Sequence, residues 1–139
     1  MRTNYKMSGL LKDLQTHDIV LSPEASRILA AGFVEERGCV LLASEAHNSK
    51  HTRIADAFDE TGYECFVNHL HLESLRDALE LAKQLAQSLS ERFKCGFAVI
   101  VGFDGREATV RFHKIRPGQS WLNDDLEKYQ EAIAVLDGH

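Results

Sequence analysis

Apolar positions along the chain recur with two different periods, and the changes of period mark out its elements. The longest regular stretch carries Leu75, Ala78, Leu79, Ala82, Leu85, Ala86, Leu89 and Phe93 at i, i+3, i+4 and i+7, one stripe on a helix with 3.6 residues per turn. Its other side is polar, with Arg76, Asp77, Glu80, Lys83, Gln84, Gln87 and Glu91, and Ser74 with Asp77 fits a capping box at the start. Period-two runs follow over residues 97–103 and 108–113, separated by Asp104 and Gly105. Asp-Gly between two such runs predicts a hairpin closed by a type I′ turn. In the second run Ala108, Val110 and Phe112 share one face, which turns Thr109, Arg111 and His113 to the other.

The remaining segments carry weaker patterns. Leu10, Leu11 and Leu14 after Ser8 predict a short helix, which His17, Asp18, Ile19, Val20 and Leu21 either continue or leave for an extended path. Ser22, Pro23 and Glu24 form a strong helix start, since Ser accepts from an orphan amide and Pro at the first position loses no hydrogen bond. Ala25, Ile28, Leu29 and Phe33 form the stripe, with Gly38 as terminator; a stop at Gly32 would instead leave residues 33–36 extended. Residues 39–43 (Cys, Val, Leu, Leu, Ala) read as a strand covered on both faces.

A helix capped by Asn48 or Ser49 is expected next, with Ile54, Ala55 and Phe58 inward, Arg53, Asp56, Asp59 and Glu60 outward, and Gly62 closing it. Residues 63–72 then alternate as a strand, Phe66, Leu70 and Leu72 against Tyr63, Cys65, Val67, His69 and His71. Beyond Pro117 and Gly118 a helix is expected from Ser120, with Leu122, Leu126 and Tyr129 inward and Asp124 and Asp125 in its first turn. Residues 132–136 form a last edge strand. A right-handed β-helix-β crossover beside an antiparallel hairpin predicts an α/β (α+β) fold. Its sheet is mixed but largely antiparallel, with helices packed on it as a two- or three-layer sandwich.

Length and composition narrow the function classes. The 139 residues, 44% apolar and 27% charged, suit a single globular domain spanning 1–139. A net charge of -5 argues against nucleic acid or an anionic membrane as partner and suits a basic one. The absence of an apolar run of about 18 residues and of a signal-peptide core near Met1 leads us to expect a cytoplasmic protein. Cys39, Cys65 and Cys95 lack metal or redox spacing and are expected to be buried, reduced thiols.

Three constellations are candidate sites. His69, His71 and His113 would meet as metal ligands if their strands pair, but no carboxylate or Cys stands at ligand spacing beside them. Ser120 with His113 and Asp124 makes a poor nucleophilic set, because Ser120 is already accounted for as a helix cap. Arg111, Lys114 and Arg116 would hold an anion, or else pair with Asp124, Asp125 and Glu127 beyond the turn. Trp121 serves as a core cap or a partner anchor. Glycine-rich phosphate motifs are absent, and no cofactor is expected.

Two stretches carry a family resemblance. Val110, Arg111, Phe112, His113, Lys114, Ile115, Arg116, Pro117, Gly118, Gln119, Ser120, Trp121 and Leu122 form the first, followed by Asp125, Leu126, Glu127 and Tyr129; Gly62, Tyr63, Glu64, Cys65, Phe66, Val67, Asn68 and His69 form the second. In these the chain resembles small bacterial proteins of toxin-immunity loci, including the immunity proteins of contact-dependent growth inhibition systems. The resemblance implies a cytoplasmic, non-enzymatic protein that neutralises one cognate toxin by binding its toxic domain, a basic nuclease domain being a natural partner for an acidic chain. The recognition residues it would use are Arg111, His113, Arg116, Trp121, Asp124, Asp125 and Glu127, with Asp56, Asp59 and Glu60 as a second acidic surface. The alternative is a small metal- or anion-binding protein or enzyme built on His69, His71 and His113 or on Arg111 and Arg116.

Overall fold

The computed structural model describes residues 1–14, 21–51 and 53–138. In chain order the elements are β1 (Arg2–Thr3), α1 (Tyr5–Asp13), α2 (Pro23–Ala31), β2 (Phe33–Glu36), β3 (Cys39–Leu42), α3 (Glu60–Val67), β4 (His69–Leu72), α4 (Leu75–Arg92), β5 (Phe97–Phe103), β6 (Ala108–Lys114) and β7 (Ala132–Gly138). Short 3-10 turns lie at Ala46–His51, Ile54–Ala57 and Leu126–Lys128. Five strands form one sheet in the order β1-β7-β5-β6-β4, and β2 with β3 forms a separate ribbon. Every described pairing is antiparallel, so the fold is α+β with an antiparallel sheet.

The stripe on α4 behaves as its spacing requires. Leu75, Ala78, Leu79, Leu81, Ala82, Leu85, Ala86 and Leu89 are buried and pack with Phe97, Val99 and Val101 of β5, Val110 and Phe112 of β6, and Ala134 and Leu136 of β7. Burial of this kind, near ~25 cal/mol per Å² of apolar surface, dominates the stability of such a layer. Ser74 caps α4 by accepting from the Asp77 N–H at 3.0 Å. The Asp77 carboxylate turns away to accept from the Ser22 N–H at 2.9 Å, while the Ser22 hydroxyl accepts from the Ala25 N–H at 3.1 Å. One acid thereby fastens the start of α2 to the start of α4.

Several expectations are corrected. Helix α2 stops at Ala31 because Gly32 takes φ +74°, a left-handed conformation that glycine adopts without strain. The chain then continues as β2, with Gly38 lying in the turn to β3. The helix expected before Gly62 is replaced by 3-10 turns, and Phe58 is 99% exposed rather than in the core. Residues 63–67, expected as strand, are helical: the Asp59 side chain accepts from the Gly62 N–H at 2.7 Å and starts α3. Both faces of that segment are apolar enough to support either period. The structure is decided instead by Glu64 and Asn68, which point inward at i, i+4 and are fully buried.

Residues 120–131 contain no α-helix, only the turn Leu126–Lys128. Asn123 and Asp125 divert the backbone there, their side chains accepting from the Asp125 and Glu127 N–H groups at 2.9 and 3.1 Å. The hairpin between β5 and β6 is present, but its loop runs Asp104 to Glu107. Asp104 accepts from both the Arg106 and Glu107 N–H groups at 2.8 Å, an Asx-type turn in place of type I′. The last strand is internal, between β1 and β5, and Cys95 is exposed while Cys39 and Cys65 are buried. The segment His17, Asp18, Ile19 and Val20 lies outside the described residues.

Candidate functional site

The sheet has a face turned away from α4, and the sequence-predicted site residues divide over it. Register places His69 of β4, Arg111 of β6, Ile100 of β5 and Val135 of β7 in one row across this face, since directly paired residues project to the same side. One half of the face is apolar and closed: Leu122, Leu126 and Tyr129 of the β6 to β7 connection pack on Ala98, Ile100, Ile133 and Val135. The other half is polar and holds His69, His71, Thr109 and Arg111.

The connection between β6 and β7 is held at both ends. Gln119 accepts from the Thr61 N–H at 3.2 Å and the Thr61 hydroxyl at 2.9 Å, and donates to Glu60 at 2.9 Å. At the far end the buried Asn4 donates to the Glu131 carbonyl at 2.7 Å and accepts from the Ile133 N–H at 3.0 Å. It also caps α1 through the Met7 N–H at 3.1 Å. Glu127 accepts from the Tyr5 N–H at 2.9 Å, a carboxylate set against the N-terminus of α1 where the helix dipole favours it.

Between these anchors Trp121 is brought over β6. The Arg111 guanidinium stacks on its ring, 4.9 Å from the centroid, while reaching the Cys65 carbonyl at 3.3 Å and the His69 Nε2 at 3.3 Å. Arg111 is thus fixed by α3, β4 and the connection together. Burial lowers the Arg111 pKa, opposed in part by nearby Cys65 and Glu131. Burial, together with the Arg111 and His71 charges, drives the His69 imidazole down to about 4, so it is neutral at pH 7 and able to accept from Arg111. The His69 and His71 rings lie 4.4 Å apart, and His71 contacts Glu107.

Trp121 is 39% exposed and Phe66, next to Cys65 on α3, is 55% exposed. Arg111 and Trp121 therefore present a partly exposed indole with a guanidinium stacked on it.

The other predicted residues take separate positions. Arg116 turns beneath α3 and pairs with Glu64 at 2.6 Å, adding a bond to the Thr61 hydroxyl at 3.1 Å; its partner is not the Asp124, Asp125 and Glu127 group. Arg111 and Arg116 accordingly serve different partners and do not converge on an anion. His113 is buried and its Nδ1 meets the Lys114 carbonyl at 2.6 Å, apart from His69 and His71, and among the described residues no three His, Cys, Asp or Glu side chains are grouped to hold a metal. Asp124, Asp125 and Glu127 are all exposed, and the carboxylates of Asp125 and Glu127 accept from backbone N–H groups. Asp59 caps α3 and Glu60 receives Gln119; the side chain of Asp56 lies outside the described set.

Sequence reasoning misses the residues that build the platform under this face. Glu64 accepts from the Val40 N–H and the Lys114 N–H, each at 2.8 Å, besides Arg116. Asn68, one turn on, accepts from the Leu42 N–H at 2.8 Å and donates to the Val40 carbonyl at 2.9 Å. These two side chains satisfy the free edge of β3 and tie the ribbon to the end of β6. The signal for them is a Glu and an Asn four apart inside an otherwise apolar run, a helical spacing.

The model of the family described as "Uncharacterized protein PM0498 family" matches residues 2–139. No curated protein and no solved structure matches the chain.

Proposed function

We propose, starting from a chain that belongs to the PM0498 family, that this is an immunity-type binding protein, which neutralises a bacterial toxin by binding its toxic domain with the face around Trp121. The observation that carries the reading is the exposed Trp121 ring held by the stacked, three-way anchored Arg111. Trp and Arg are among the residue types most enriched at binding hot spots. A side chain fixed before binding has less conformational freedom to lose on association.

Charge supports a basic partner. The net charge is -5, and exposed Asp124 lies three residues along the chain from Trp121. Acidic groups at the rim of an interface accelerate encounter with a basic domain and add salt dependence. The proposal includes a cytoplasmic location, where an immunity protein meets its toxin; among the described residues no helix is long and apolar enough to cross a membrane.

The test is titration of the purified chain against the toxin domain encoded beside its gene, with toxin activity as the readout. Stoichiometric neutralisation is expected. A neighbouring product that is not toxic, or a toxin whose activity persists in excess of this chain, refutes the reading.

A further inference from the structure

Helix α3 is covered almost all round. Six of its eight residues are buried, Glu60 is half-buried and bonded to Gln119, and Phe66 alone stands exposed. An alternating strand over residues 63–72 would have turned Phe66 inward with Leu70 and Leu72, both of which are buried. The helix turns it to solvent instead, and it belongs to none of the three apolar clusters of the fold. A large apolar ring thus occupies the one position of α3 where a polar side chain would meet water freely.

Short steps tie Phe66 to the Trp121 face. It directly follows Cys65, whose carbonyl accepts from Arg111 at 3.3 Å, and the same guanidinium lies 4.9 Å from the Trp121 ring centroid. With standard bond lengths these steps hold the Phe66 Cα within roughly 12 Å of the indole centroid. A standard interface covers about 800 Å² on each partner, about 30 Å across, so one partner surface reaches both rings.

The group between the rings is unfinished. A guanidinium carries five N–H donors, and the described bonds of Arg111 use one toward Cys65 and one toward His69. The ion pairs among the described residues are His71 with Glu107 and Glu64 with Arg116, which leaves the half-buried Arg111 without a carboxylate. An acceptor supplied by a partner would complete it.

We infer that Phe66 is a second anchor of the toxin-binding surface, received together with Trp121 by one apolar patch of the toxin domain that also brings an acceptor to Arg111. This rests on the toxin-binding reading and extends it from one ring to a pair. The partner surface so described is apolar at its centre, with basic groups toward its rim to suit exposed Asp124 and a net charge of -5. Aromatic anchors inside a charged rim are the usual arrangement of a binding hot spot, and two rings held on a helix and an anchored connection have little freedom to lose on association.

The experiment is surface plasmon resonance of the full chain and of Phe66→Ala on the toxin domain encoded beside its gene, with the unfolding midpoint of each protein as the check on folding. Phe66→Gln, polar and compatible with a helix, gives the same reading should alanine cost the fold. Affinity should fall at least tenfold, with the loss in the dissociation rate and the association rate within about twofold of the wild type, because no charge changes. A toxin that the wild-type chain does not neutralise refutes the toxin-binding reading and this assignment with it. Neutralisation by the wild type, with undiminished affinity in a folded Phe66→Ala or Phe66→Gln variant or a loss confined to the association rate, overturns the assignment alone.

Discussion

Replacing Glu64 with alanine removes the group on which three donors converge. The Arg116 guanidinium, whose side chain is 16% exposed, loses its ion-pair partner, and the N–H groups of Val40 and Lys114 lose the oxygens they meet at 2.8 Å. Breaking a buried ion pair costs ~3–5 kcal/mol, and each orphaned amide ~1–3 kcal/mol. These do not add in full, because the space left is polar and water enters it; we expect a loss of about 4 kcal/mol. Arg116→Met removes the same ion pair but leaves the Glu64 carboxylate with both charge-assisted amide bonds, and should cost about 2 kcal/mol. Urea unfolding monitored by circular dichroism gives both values from linear extrapolation at a common m-value. A Glu64→Ala variant that loses under about 1.5 kcal/mol, or an Arg116→Met variant that loses as much as Glu64→Ala, would refute the claim that Glu64 joins the β2-β3 ribbon to β6.

Three further outcomes follow from the packing. His69 has a folded value of about 4 against ~6.5 when unfolded. Its neutral form therefore stabilises the fold fully above pH ~6.5, and that contribution is lost as pH falls toward 4. Because the ring is half-exposed, solvent screening reduces the effect to about 1 kcal/mol, and His69→Asn should flatten the stability profile between about pH 6.5 and 4 by that amount. Gly62→Ala should cost about 2–3 kcal/mol in the same urea assay, since a β-carbon there collides with the Ala57 carbonyl. With a thiol reagent such as DTNB, Cys95 should react within seconds while Cys39 and Cys65 wait for unfolding, because Cys95 is exposed and burial raises the other two, Cys39 to about 11. Fast labelling of all three would contradict the described burial.

The parts of the fold legible in the sequence are those where one period dominates. The α4 stripe and the β5-β6 hairpin stand where the pattern puts them, because their apolar residues fit only one spacing and face a common core. Residues 63–67 mislead because apolar residues on both sides satisfy either period, and the deciding hydrogen bonds of Glu64 and Asn68 run to strands 24 to 50 residues away. The segment after Pro117 misleads for a related reason. Leu122, Leu126 and Tyr129 are inward-facing as expected, but they reach the sheet from an irregular chain pinned by Asn4 and Thr61. The basic cluster is visible as composition, yet its division into Arg111 with Trp121 and Arg116 with Glu64 depends on the α3 register, which no local pattern shows.

The central claim is that the Arg111-Trp121 face is the recognition surface. Its most direct test is the affinity of the cognate toxin domain for the wild-type chain and for Trp121→Ala, measured by calorimetry with the unfolding midpoints of both proteins in hand. We predict a loss of at least ~2 kcal/mol, about 30-fold in Kd, with little change in stability, as for a binding hot spot. Undiminished affinity in a folded Trp121→Ala protein would contradict the account.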